Sequence, residues 1–124
     1  MPVHLNHTIV AARDKQESAR FLTEVLGLAA PTTYGPFAVV QLDNDVSLDF
    51  IDDDEIHPRH YAFLVSEDEF DDIFGRIRAR ALDFWADPFQ HRPGEINTND
   101  GGRGVYWLDP DGHTLEIITR PYGG

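Results

Sequence analysis

The sequence predicts an α+β fold made of two copies of one strand-helix-strands plan, two paired βαβββ modules covering residues 1–56 and 57–124 of a single domain. Three observations predict it. The same order of patterns occurs twice, His7 and His60 fall opposite each other on the opening strands of the two copies, and a chain of 124 residues leaves each copy too small to bury both faces of a sheet alone.

In the first copy, segment 3–12 alternates as a strand, with Leu5, His7 and Ile9 on one face and Asn6 and Thr8 on the other. His7 therefore stands where an apolar residue is expected. Asp14 and Glu17 have the spacing of a capping box, and Phe21, Leu22, Val25 and Leu26 form a helical apolar stripe that stops at Gly27. Pro31, Gly35 and Pro36 mark turns. Residues 37–42 and 46–51 then read as two strands joined at Asp43, Asn44 and Asp45.

The second copy starts with a strand over residues 60–65, followed by a capping box of Ser66 and Glu69 and by Phe70, Ile73, Phe74 and Ile77 at helical spacing. Residues 82–86, 104–108 and 114–119 read as strands, and Asp109-Pro110-Asp111-Gly112 predicts a hairpin turn between the last two. Pro58, just after the acidic run 52–55, marks the joint between the copies. Since neither half buries both faces of its sheet alone, the halves are expected to pair, within a chain or in a homodimer.

Composition narrows the function. Without cysteine, any metal is held by nitrogen and oxygen, and no thiolate nucleophile is available. Twenty-two acidic against ten basic residues give a net charge of -12, which repels phosphate backbones and anionic headgroups, so neither nucleic acid nor membrane is an expected partner. No apolar run reaches the roughly 20 residues of a membrane span, and His4, Asn6 and His7 interrupt any leader-like stretch; a cytoplasmic protein is expected.

Laid over each other, the copies set His7 opposite His60, and Asp49 of Ser-Leu-Asp-Phe-Ile opposite Glu116 of Thr-Leu-Glu-Ile-Ile. A carboxylate flanked by Leu115, Ile117 and Ile118 costs several kcal/mol to bury unless it is paired or bound to a cation. Two histidines and a carboxylate suit a divalent ion with open positions for substrate. From the residues alone, hydrogen-bonded histidines and a partly exposed Glu116 remain an equal reading.

Leu5-Asn6-His7, His60-Tyr61-Ala62-Phe63 and the run from Tyr106 through Asp109-Pro110-Asp111-Gly112-His113-Thr114-Leu115-Glu116 resemble the motifs of the vicinal oxygen chelate superfamily, which includes glyoxalase I, extradiol dioxygenases, fosfomycin thiol transferases and bleomycin-binding proteins. The resemblance covers essentially the whole chain. It implies a curved mixed sheet around a metal cavity, with one divalent ion (iron, manganese, nickel or zinc) on His7, His60 and Glu116, and a small-molecule substrate. It also implies a substrate-contacting Tyr106 and, at Asp49, a fourth ligand as in glyoxalase I or a base.

Two departures shape the expected chemistry. Extradiol dioxygenases carry a histidine several residues before the tyrosine, where this chain has Asn97, Thr98 and Asn99; His91 is a substitute only from the same loop. The net negative charge disfavours a dianionic phosphonate such as fosfomycin. Lewis-acid chemistry of the glyoxalase or thiol-transferase kind is therefore the leading expectation, with an iron(II) dioxygenase and a non-catalytic binding protein as alternatives. Loop 88–104 is a candidate lid, with Glu95 and Arg103 as candidate contacts. His4 and His113 have the wrong strand parity for ligands and His57 lies in the linker. Trp85, Trp107 and Tyr122 line either a pocket or the core.

Overall fold

The computed structural model describes residues 2–121, so Tyr122 lies outside the described residues. The chain divides into two compact units, Met1–His57 and Pro58–Gly124. Each is a four-stranded mixed sheet with one long helix, an α+β architecture of two modules.

The first unit runs β1 (His7–Ala12), α1 (Lys15–Leu26), β2 (Thr32–Tyr34), β3 (Phe37–Gln41) and β4 (Ser47–Asp52), with sheet order β1-β4-β3-β2. β1 and β4 are parallel, and the other pairings are antiparallel. Strand parity gives the sheet two different faces. Val10, Ala12, Ala38, Val40, Leu48 and Phe50 are buried with Ala19, Leu22 and Val25 of α1, which packs on β3, β4 and β1. His7, Ile9 and Asp49 take the opposite face by alternation. Asp14 caps α1 by accepting from the backbone N–H of Gln16 and Glu17, and Gly27 ends the helix at φ 74°, a left-handed conformation that favours glycine.

The second unit runs β5 (His60–Leu64), α2 (Glu67–Ala79), β6 (Phe84–Trp85), β7 (Gly104–Leu108) and β8 (Thr114–Ile118), with order β5-β8-β7-β6 and the same pattern of parallel and antiparallel pairs. Val105, Trp107, Leu115 and Ile117 are buried, as are Phe70, Ile73 and Ile77 of α2, and the Phe74 ring meets Phe84 edge-on at 5.1 Å. The capping box is complete: Ser66 Oγ accepts from the Glu69 N–H, and Glu69 Oε1 accepts from the Ser66 N–H.

The turn residues behave as their chemistry predicts. Between β7 and β8, the Asp109 N–H donates to the His113 carbonyl and the Gly112 N–H to the Asp109 carbonyl, with Gly112 at φ 86°. Three expectations needed adjustment. β1 begins only at His7, the strand expected over 82–86 shrinks to Phe84–Trp85, and Thr32–Tyr34 pairs with β3 although its three exposed residues carry no apolar alternation. Ladder hydrogen bonds to a neighbour, not burial, make β2 a strand.

Candidate metal and substrate site

In the second unit the β5–β8 ladder sets His60 opposite Thr114 and Ala62 opposite Glu116, while the β7–β8 ladder sets Tyr106 opposite Glu116. Strand parity then puts His60, Glu116 and Tyr106 on one face. The small side chain of Ala62 leaves room over Glu116, and His60 Nε2 comes to 2.8 Å from Glu116 Oε1. Glu116 is 1% exposed while His60 is 43% exposed, so the carboxylate is sunk in the sheet and the imidazole caps it from the rim. The Tyr106 ring meets the His60 ring edge-on at 5.7 Å. Three of the five residues singled out from the sequence thus form one cluster.

The other two lie in the first unit. His7 opens β1 and is exposed, and its Nδ1 lies 2.7 Å from Asn6 Oδ1. Because an amide oxygen only accepts, Nδ1 is the donor in this contact, which leaves Nε2 as the ring nitrogen not engaged by Asn6. Asp49 is half-buried on β4, and its Oδ1 accepts from Ser47 Oγ at 2.8 Å. Within neither unit are all three expected ligands present, and no group of three or more His, Asp or Glu side chains placed to hold an ion is gathered among the described residues.

The donor chemistry fits a divalent ion. A nearly inaccessible carboxylate oxygen and an imidazole nitrogen converge to 2.8 Å, close to the roughly 3 Å that separates adjacent ligands of an ion with bonds of about 2.1 Å. A cation would compensate a carboxylate whose burial is otherwise costly. With no cysteine in the chain, nitrogen and oxygen donors select among iron, manganese, nickel and zinc.

His113 supports this pair from behind. It is 1% exposed, its Nδ1 accepts from the backbone N–H of Arg59, and the Thr114 N–H donates to the Arg59 carbonyl. Both backbone groups of the residue before His60 are thereby fastened to the start of β8, extending the ladder that sets His60 against Glu116. Asp109 Oδ1 in turn accepts from the N–H groups of Asp111 and His113, and burial pushes its carboxyl above the ordinary range. Sequence parity excluded His113 as a ligand but carried no sign of this bracing role.

Loop 88–104 is tied down at three points. Asp87 accepts from the N–H groups of His91 and Arg92. The side chain of Asn97, 5% exposed, donates to the Ala86 carbonyl and accepts from the Asn99 N–H, while its backbone pairs with Gly104. A Cβ at Gly104 would lie 2.9 Å from the Asn97 amide, so the two residues require each other. Arg103, a candidate contact from the sequence, is engaged with α2: it holds Glu67 Oε1 at 2.7 Å and Asp71 Oδ1 at 2.8 Å, with its guanidinium 4.3 Å above the Phe70 ring. Glu95 pairs with Arg92, and Trp107 is core. Asn97, read from the sequence only as the absence of a histidine, is the loop's internal staple.

Comparisons with known proteins give the family. Residues 4–117 match the family described as the glyoxalase/bleomycin resistance protein/dioxygenase superfamily. The chain is 31% identical over 120 residues to the glutathione transferase FosA of Serratia marcescens, covering 91% of this chain and 78% of that one. Among solved structures it is similar to the oxidase ChaP-H1, with a TM-score of 0.97 and 70% identity over 99% of this chain and 100% of that one. It is also similar to the oxidase ChaP-H2, with a TM-score of 0.97 and 64% identity over 100% and 98%. The two-module fold, the motifs and these likenesses agree: the chain belongs to the glyoxalase/bleomycin resistance protein/dioxygenase superfamily, the vicinal oxygen chelate superfamily.

Proposed function

We propose that this protein is a metal-dependent oxidase acting on a small substrate with neighbouring oxygen atoms, with His7, His60 and Glu116 as metal ligands and iron(II) as the working ion. The observation that carries the metal site is the convergence of His60 Nε2 on the buried Glu116 Oε1 at 2.8 Å. The choice of oxidation rests on the 70% and 64% identity, over nearly the whole chain, to two proteins named oxidases. That weight reverses the order expected from the sequence, in which redox-neutral chemistry came first.

A bound ion supplies Lewis acidity to a chelating oxygen pair and, as iron(II), the ability to pass electrons to dioxygen. The protein's own groups do the rest. Glu116 brings a negative charge that favours a cation in a dry site. His60 and His7 bind through imidazole nitrogens. Asp49 accepts a proton from a substrate hydroxyl, and Tyr106, beside His60, bears on the substrate. The exposed apolar side chains of Ile9 and Leu64, on the strand faces of His7 and His60, favour a homodimer in which a second copy covers them. Sedimentation at micromolar concentration tests that assembly, and a monomer mass would remove it.

Thiol transfer or glyoxalase-type isomerisation is the second reading, favoured by the 31% identity to a glutathione transferase. The two part on oxygen. Apoprotein loaded separately with iron(II), manganese, nickel and zinc would be assayed with catechols under air and argon, and with glutathione hemithioacetals. Oxygen consumption with iron(II) alone is the expected result; turnover with zinc or nickel under argon would replace the oxidase with the second reading.

A further inference from the structure

We infer that Ser47 is a positioning residue that keeps Asp49 out of the metal-ligand set, so that the first module contributes His7 alone. The inference rests on the metal-site reading above. In both modules a parallel ladder sets a histidine opposite a hydroxyl residue, His7 opposite Ser47 and His60 opposite Thr114. In both, the carboxylate follows two residues later on the same strand face, as Asp49 and as Glu116. The second module uses that spacing for a 2.8 Å contact between imidazole and carboxylate.

The first module has the same spacing and a different outcome. Asp49 leans back along β4 toward the level of His7, as Glu116 leans toward His60, but meets the Ser47 hydroxyl at 2.8 Å. His7 turns its Nδ1 to Asn6 instead. A hydroxyl donor stabilises the carboxylate where it stands, and the side chain, one methylene shorter than that of Glu116, has little reach left for an ion on His7 Nε2. Asp49 therefore stays a proton acceptor, and a site held by His7, His60 and Glu116 alone would leave room for a chelating substrate and dioxygen.

Removing the hydroxyl should release the carboxylate. With cobalt(II) as the probe, titrated into apoprotein, Ser47→Ala is expected to tighten binding about tenfold and to change the visible absorption bands of the bound ion, as an added ligand would. The double variant Ser47→Ala/Asp49→Asn should return both to wild type, and Ser47→Thr, which keeps the hydroxyl, should resemble wild type throughout. Asp49→Asn alone should leave affinity within about twofold. Unchanged affinity and spectrum in Ser47→Ala, or a tenfold loss in Asp49→Asn alone, would overturn the inference. Wild-type affinity in Glu116→Gln would instead remove the metal-site reading on which it rests, so the two failures are distinguishable.

Discussion

The two modules share element order, sheet order and ladder register, and they differ at the position where chemistry is expected. In the second, a glutamate and a histidine meet across the parallel pair, and the residue before the histidine is held by the His113 side chain. In the first, the equivalent aspartate is satisfied by Ser47, and the position before β4 is Val46, so the Asn6–Ser47 backbone bond stands without a side-chain brace. Register brings residue types to equivalent places. Each module carries a hydroxyl at the same register, Ser47 and Thr114, and the shorter carboxylate is the one that meets its hydroxyl while the longer one meets the histidine.

The largest effect expected from that difference is on metal affinity. Glu116→Gln should weaken divalent-metal binding at least 100-fold. It should also cut the roughly 2.7 kcal/mol of stabilisation that metal at 100 times the wild-type Kd gives the wild type to about 0.4 kcal/mol or less, read as the shift in denaturant midpoint with and without metal. A shift in Glu116→Gln equal to wild type would make the modules' difference irrelevant to metal.

Next is the brace. His113→Leu leaves the Arg59 N–H without its acceptor, and a cost of about 1–3 kcal/mol is expected in urea unfolding of the metal-free protein. A cost below about 0.5 kcal/mol would show that the ladder holds β5 without help, as it holds β1.

The helix ends sharpen the comparison at smaller scale. α1 stops at Gly27 with φ 74°, whereas after α2 the left-handed residue is Ala81 with φ 54°. Gly27→Ala should destabilise by about 1 kcal/mol and Ala81→Gly should stabilise by a few tenths to about 1 kcal/mol, opposite signs for reciprocal substitutions at comparable bends. Equal signs in thermal unfolding would break the equivalence.

The smallest effect is pH-dependent and confined to the second module. Burial raises the folded-state pKa of Asp109, so the folded chain holds a proton that the unfolded chain has released, and stability falls as pH climbs from the ordinary carboxylate value of about 4 through the raised one. Asp109→Asn keeps an acceptor for the Asp111 and His113 N–H groups without the charge. Its stability relative to wild type should improve as pH rises through that window and show no such gain below pH 4; a flat difference from pH 3 to 8 would contradict this origin.

Much of this was legible in the residues. The strand parity of His7, His60 and Glu116, the Ser66 box and the Asp109–Gly112 hairpin all express local rules of period and capping, which neighbours in sequence suffice to impose. Asp14 shows the limit of such rules, since it caps α1 by accepting from the N–H of Gln16 and Glu17, an ordinary cap where a box was expected. Thr32–Tyr34 was invisible because only a partner strand makes it β, and the staple made by Asn97 and the clamp made by Arg103 were invisible because their partners lie far away in sequence.

By itself, then, the sequence determined the doubled plan, the faces on which the candidate ligands stand, and the superfamily, because periodicity, turn chemistry and the Tyr106–Glu116 motif are written in adjacent residues. Only the tertiary structure decided that Glu116 meets His60 while Asp49 meets Ser47, that His113 braces Arg59, and that Arg103 clamps α2. Those outcomes turn on distances of a few ångströms between side chains from different strands, and on which donor reaches a carboxylate first, quantities that only the assembled sheet defines.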